Sequence, residues 1–247
     1  PFLMIRPPPI STLFPYTTLF RSGSVTSEAI IGTSPVGPSA TENPKSGIVP
    51  RELARGEIGE IIEAFTKAAL RAQKAGFDGI EIHAAHGFLL NQFFSPLTNK
   101  RTDEYGGDIS NRLRIHLQII KAIRKTTGDL FPILVRLGAS DFINSGVTIE
   151  DSQFAAREFE KAGVSILDIS GGFAGANVPG LSGQGYFAPL TEAIKKVVSI
   201  PVILTGGITD PQAAEQLLAD GKADLIGVGR AIFKDSSWAQ HAIEALT

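Results

Sequence analysis

The sequence predicts an α/β fold, a (β/α)8 TIM barrel in which units equivalent to strands four to eight are present and strands one to three are missing. Three observations predict it. From residue 57 onward, short apolar segments alternate with amphipathic helical ones. The apolar segments are continuously hydrophobic, as strands of a parallel sheet buried on both faces are. Polar and glycine-rich residues come after each strand: His83 and His86, Arg136, Asp168 to Gly172, Thr205 to Gly207, and Gly227 to Arg230. A barrel collects functional residues at all its strand ends, whereas a doubly wound sheet concentrates them at one switch point. Five such ends favour the barrel.

Each element has a local reason. In EIGEIIEAFTKAALRAQKAG, residues Ile58, Ile61, Ile62, Phe65, Ala68, Ala69 and Ala72 share one helical face, and Gly76 ends the helix. A strand over Gly79 to His83 comes next. The second helix spans about 110–126 and leads to the strand Pro132 to Leu137. A helix over 149–162, begun after Thr148, leads to Ser165 to Ile169. Another near 188–198 leads to Pro201 to Thr205. Asp210 as N-cap and Pro211 at the first helical position start the next helix. It leads to the strand Asp224 to Val228, and a helix over about 236–246 closes the series.

Composition sets the outer limits. The chain has 247 residues, 23 Lys+Arg and 25 Asp+Glu, for a formal net charge of −2. That balance gives no electrostatic footprint for nucleic acid or an anionic membrane. No apolar run reaches the length of a spanning helix. The absence of cysteine excludes disulfides, thiolate metal sites and a cysteine nucleophile in this segment. A cytoplasmic enzyme acting on a small-molecule substrate fits this profile, and a homo-oligomer is compatible with it.

Residues 1–22 begin at Pro1, carry five prolines and the sole Met, and hold no acidic residue. They show neither a signal-peptide core nor a pattern that continues beyond residue 22, and read as a non-native leader. Residues 23–56, rich in Gly, Ser, Thr and Pro, read as an irregular connection. Residues 57–247 read as the partial barrel domain.

The loops TGGITDP (205–211) and GVGR (227–230) come after the last two strands. Glycines let backbone N–H groups approach an anion, helix N-termini favour it, and Arg230 adds a fixed cation. Loops after the seventh and eighth strands are the usual phosphate site of this fold. A phosphorylated substrate or a flavin mononucleotide would fit; the bland alternative is that the glycines only make tight turns. His83 and His86 lie three residues apart, so a helical turn would put both on one face. Two neutral imidazoles could donate to one carbonyl or nitro oxygen. A metal site is disfavoured without an HExxH glutamate or any cysteine. Two structural histidines are the plain alternative, and His116 and His241 read as packing or surface residues inside helices. Arg136 stands in the apolar strand ILVRL. A charge there needs an anion, such as the negative charge of a reduced flavin near N1 and the C2 oxygen, or a carboxylate such as Asp141 or Asp168. The connection from Ala84 to Ile109 exceeds what a βα loop needs, as loops that bind or cover a ligand do.

These residues carry a resemblance. GFDGIEIHAAHGFLLNQFFSP, NKRTDEYGGDISNRLR, LVRLGASD, GGIT and ADLIGVGR occur in the order and spacing of one family, preceded by GPSA and PRELARGEI. From about Gly37 to Thr247 the chain resembles the Old Yellow Enzyme family of FMN-dependent ene-reductases, or NADH:flavin oxidoreductases. The resemblance implies that His83 and His86 grip the activating oxygen of the substrate and that Arg136 contacts the flavin. It implies that Gly206, Gly207, Gly229 and Arg230 bind the FMN phosphate. It also implies that NADH or NADPH reduces the flavin, which then reduces an electron-poor alkene such as an α,β-unsaturated carbonyl. Two features depart from the pattern. Phe88, in the substrate pocket, stands where the family commonly has a proton-donating tyrosine. The family's first three strands have no counterpart. An inactive truncated fragment, or a TIM-barrel enzyme for a phosphorylated metabolite, are the competing expectations.

Overall fold

The computed structural model describes residues 22–246. The expected leader therefore lies outside the described residues except for Ser22. Residues 23–56 contain a short helix α1 (Glu28–Ile31) and two short strands, β1 (Val36–Gly37) and β2 (Arg51–Glu52), paired in parallel. Although rich in turns, this segment is tied to the rest of the molecule. The Ser24 amide donates to Gln92 Oε1, and Gln92 Nε2 donates to the Ser22 carbonyl.

The regular part keeps the predicted order closely. Helix α2 (Arg55–Lys74) is begun by Glu57, whose carboxylate accepts from the Ala54 amide. It buries Ile58, Ile61 and Ala69. Then come β3 (Ile80–Ala84), α3 (Leu89–Phe94), α4 (Ile109–Arg112), α5 (Arg114–Thr127) and β4 (Ile133–Gly138). Next are α6 (Ile149–Lys161), β5 (Ile166–Ser170), α7 (Ala188–Lys195), β6 (Val202–Leu204), α8 (Pro211–Ala219) and β7 (Leu225–Ile226). Helices α9 (Arg230–Lys234) and α10 (Trp238–Leu246) complete the described chain.

One expected helix is divided, and another is preceded by a helix that was not expected. The helix expected over 110–126 is interrupted at Leu113, between α4 and α5. Asp108 accepts from the Asn111 amide and starts the first turn separately. The helix expected over 236–246 is preceded by α9, so the chain turns helical at Arg230, within GVGR itself.

Strands β3 to β7 form one parallel sheet in sequential order. The register sets a continuous cross-strand row: His83, Arg136, Asp168, Ile203 and Leu225. Because side chains alternate faces along a strand, this row and the residues two positions on from it share one face. That places Gly138, Ser170, Thr205 and Gly227 one layer nearer the C-terminal end.

The core has two parts. The larger joins β3, β4 and β5 to α2, α5 and α6 through Ile58, Ile119, Val135, Phe159 and their neighbours. The smaller gathers Phe187, Leu204, Ile208, Ala214 and Ala223 around β6 and α8. No helix among the described residues is long and apolar enough to cross a membrane.

Candidate functional site

Beyond the C-terminal ends of β4 to β7 lies a cleft of about 580 Å³. Arg136, Asp168 and Ser170 form its inner wall, and Gly206, Gly207, Gly229 and Arg230 line its outer end. The five residues expected to bind a cofactor thus meet in one cavity. The peptide units at Gly206 and Gly207 both have positive φ (108° and 71°). A Cβ on Gly207 would fall 2.2 Å from the Gly183 carbonyl, so this turn requires glycine. Gly229 differs, since nothing lies within 4 Å of where its Cβ would stand. Space beside that residue is open to a ligand.

The two helix N-termini are not equivalent. Asp210 already caps α8, accepting from the Gln212 and Ala213 amides. Gly229 gives α9 no side-chain cap, which leaves the amides after the second loop available to an anion. Arg230 is held in place by two residues that the sequence did not single out. Its guanidinium donates to Asn177 Oδ1 at 2.7 Å and to the Tyr186 hydroxyl at 3.1 Å. The Tyr186 hydroxyl in turn donates to the Ala176 carbonyl. Neither residue belongs to a recognisable motif; a loop after β5 brings both across the cleft.

At the inner wall, Arg136 Nε lies 3.3 Å from Asp168 Oδ2. Asp168 is therefore the nearer of its two expected partners. The contact lacks hydrogen-bonding geometry, and both Arg136 Nε and Asp168 Oδ1 are buried without a hydrogen-bond partner. Burial pushes the Asp168 carboxyl up to about 7, with Glu81 adding to the rise and Arg136 opposing it. A strand-borne cation with unused donor capacity thus faces the cleft.

His83 and His86 do come together, with ring centroids 5.0 Å apart, but by a different route from a helical turn. His83 sits in β3, and the chain then turns through His86 at φ 61° and Gly87 at φ 75°. A non-glycine residue with that φ is strained and persists because its surroundings hold it. Here His86 Nε2 hydrogen-bonds Ser170 Oγ at 2.7 Å, and the His86 amide donates to the Gly171 carbonyl. Burial pushes His86 down to about 3, helped by the charges of Arg136, His83 and Lys45. It is therefore a neutral imidazole at pH 7. Phe88 packs against His83, centroid to centroid 5.1 Å.

One buried carboxylate ties these loops together. Asp141 accepts from Ser95 Oγ at 2.6 Å, from the Val147 amide at 2.8 Å and from the Phe173 amide at 3.0 Å. Those groups belong to the loops after β3, β4 and β5. The sequence offered Asp141 only as a partner for Arg136; its position shows a residue that fixes three loops at once. The other two histidines stand apart from the site. His116 is buried between Phe94 and Phe159, and exposed His241 lies beside Asp235.

The sequence from residue 21 to 247 matches the NADH:flavin oxidoreductase / NADH oxidase family. The chain belongs to that family. It is 42% identical over 234 residues to an NADH oxidase of Thermoanaerobacter brockii, covering 93% of this chain and 36% of that protein. It is 38% identical over 213 residues to an NADPH dehydrogenase of Geobacillus thermodenitrificans, covering 85% of this chain and 61% of that one. Among solved structures it resembles the old yellow enzyme homologue from Zymomonas mobilis, with a TM-score of 0.75 and 29% identity. That match covers 92% of this chain and 65% of the other. The chain therefore spans about one to two thirds of the length of the proteins it matches.

Proposed function

We propose that this chain forms the catalytic face of an FMN-dependent oxidoreductase that uses NADH or NADPH to reduce electron-poor C=C bonds of small molecules. The observation that carries the reading is a single cleft that joins a glycine–arginine loop pair to a cation-bearing strand beside two histidines. Membership of a flavin oxidoreductase family supports it. In this reading the five parallel strands are the fourth to eighth of a (β/α)8 barrel, and residues 57–247 are its flavin-binding part.

The residues present fit FMN. Gly206, Gly207, Gly229 and Arg230 would hold its phosphate, using bare backbone at Gly206 and Gly207 and a pre-positioned guanidinium at Arg230. Arg136, with a buried donor that makes no hydrogen bond, would meet the electron-rich edge of the ring system. When bound, FMN supplies a two-electron carrier between the nicotinamide and the alkene. The chain's own contribution is orientation and charge. His83 and the neutral His86 would donate hydrogen bonds to the substrate's activating oxygen, where negative charge develops. Phe88 would close one side of the substrate pocket.

The test is a visible spectrum and then turnover. The purified chain, incubated with FMN and desalted, should retain flavin absorbance. His83→Ala and His86→Ala should keep the flavin but slow reduction of a cyclic enone by about 100-fold. A colourless protein after FMN soaking sinks the reading for this polypeptide. Binding of a phosphate ester without flavin would favour a phosphorylated-metabolite enzyme instead.

A further inference from the structure

Hydride addition to an alkene leaves an electron pair on the α-carbon, and that carbon must then take a proton. Phe88 has no hydroxyl to give one. The structure brings a different acid to the same place, from a segment that the sequence marks only as an irregular connection. The Lys45 ammonium donates to the His86 carbonyl at 2.9 Å and stands 5.6 Å from the centre of the Phe88 ring. Lys45, His86, Phe88 and His83 thus form one cluster.

The lysine is held there by a built loop. Fully buried Asn43 donates from Nδ2 to Ser24 Oγ at 2.8 Å and accepts at Oδ1 from the Lys45 amide at 2.9 Å. Ser46 Oγ donates to the Ser24 carbonyl at 2.7 Å. The residue nevertheless remains solvent-exposed, so water can return a proton to it. Within this cluster, Lys45 acts on His86 together with His83 of β3 and Arg136 of β4. Partial burial lowers Lys45 from the ordinary lysine range.

We propose that Lys45 is the proton donor to the α-carbon, a catalytic residue that takes the part a hydroxyl at position 88 would otherwise play. The proposal rests on the alkene-reductase reading above. In the step, hydride originating from NADH or NADPH has bonded to the β-carbon and the π pair has moved to the α-carbon. A C–H bond forms there as an Nζ–H bond breaks. The neutral amine then recovers a proton from water. NAD(P)H and one proton are consumed; the alkene is reduced and NAD(P)⁺ is released.

The experiment uses the full chain loaded with FMN, with a cyclic enone as the probe and the two half-reactions timed separately. Lys45→Met should leave the rate of flavin reduction by NADPH unchanged and slow the enone-dependent step at least about tenfold. Lys45→Arg keeps the charge but holds its proton too tightly to donate, so it should stay as slow as Lys45→Met. Because the acid must be protonated, the wild-type enone step should fall as pH rises through the Lys45 pKa, and Lys45→Met should lose that limb. A readout independent of turnover is the NMR titration of ¹³C-dimethylated lysines, with the Lys45 signal assigned by its loss in Lys45→Met. It should titrate below the other lysines. Full activity in Lys45→Met, rescue by Lys45→Arg, or a Lys45 signal that titrates with the rest overturns the proposal alone. A wild-type chain that reduces no enone overturns the functional reading, and the proposal with it.

Discussion

The histidine end of the site, which borders the cleft through Ser170, and the glycine–arginine end of the cleft are built differently. The histidine end rests on β3 to β5, whose loops are pinned by Asp141 and backed by the larger core. The glycine–arginine end rests on β6 and β7, which have three and two residues and a smaller core. Leu225 is 43% exposed and Phe233 94% exposed on that side. Neutral imidazoles must be aimed within a fraction of an ångström to act, so that end demands a rigid frame. An anion site made of backbone amides and one arginine needs open space more than packing.

The largest expected effect is at the frame. Asp141→Ala removes the acceptor for Ser95, Val147 and Phe173 and leaves two buried amides unsatisfied. It should cost about 3–5 kcal/mol in urea unfolding. A loss below about 1 kcal/mol would mean the three loops hold themselves. A direct comparison of the two cores comes next. Ile119→Ala, in the larger cluster, should cost about 3–4 kcal/mol, whereas Ile208→Ala, in the smaller, should cost about 2. Equal losses would erase the distinction drawn between the ends.

Between the ends stands Asp168, whose folded pKa of about 7 lies above that of an unfolded aspartate. Its contribution to stability is present at low pH and lost as pH rises from about 4 through 7. Asp168→Asn removes that loss. It should gain about 2–4 kcal/mol at pH 8 relative to the wild type and little at pH 4. A pH-independent difference would show that folding does not raise the Asp168 pKa.

At the glycine–arginine end, Arg230→Ala should change stability by less than about 0.5 kcal/mol because the side chain is exposed. FMN affinity in a calorimetric titration should nonetheless fall about 10- to 100-fold, and Arg230→Lys should recover only part of it. The smallest effect is expected from Phe88→Tyr. With Lys45 already over that ring, enone turnover should rise by no more than about two- to fivefold.

Much of the fold was legible because its signals are local. The apolar runs ILVRL and VSILDIS, the capped start at Asp210–Pro211 and the positive-φ Gly76 each depend on residues adjacent in sequence. The elements they predict appear within about two residues of where they were expected. The candidate residues His83, His86, Phe88, Arg136, Gly206, Gly207, Gly229 and Arg230 were also legible, as motifs at strand ends. The break at Leu113 and the early start of α9 were missed, because a cap at Asp108 and a glycine at 229 each permit either outcome.

By itself, then, the sequence determined the order of the units, the family, and which residues crowd the strand ends, since periodicity, caps and contiguous motifs are short-range properties. Only the tertiary structure decided that Arg136 sits beside Asp168 of the neighbouring strand, that Asn177 and Tyr186 hold Arg230, and that Ser170 holds a strained His86. It alone decided that Asp141 serves three loops and that Lys45 reaches the histidine pair. The physical reason is separation along the chain. Lys45 and His86 are 41 residues apart, and Arg230 and Asn177 are 53 apart. Contacts at that range are fixed by strand register and loop packing, and no local pattern encodes them.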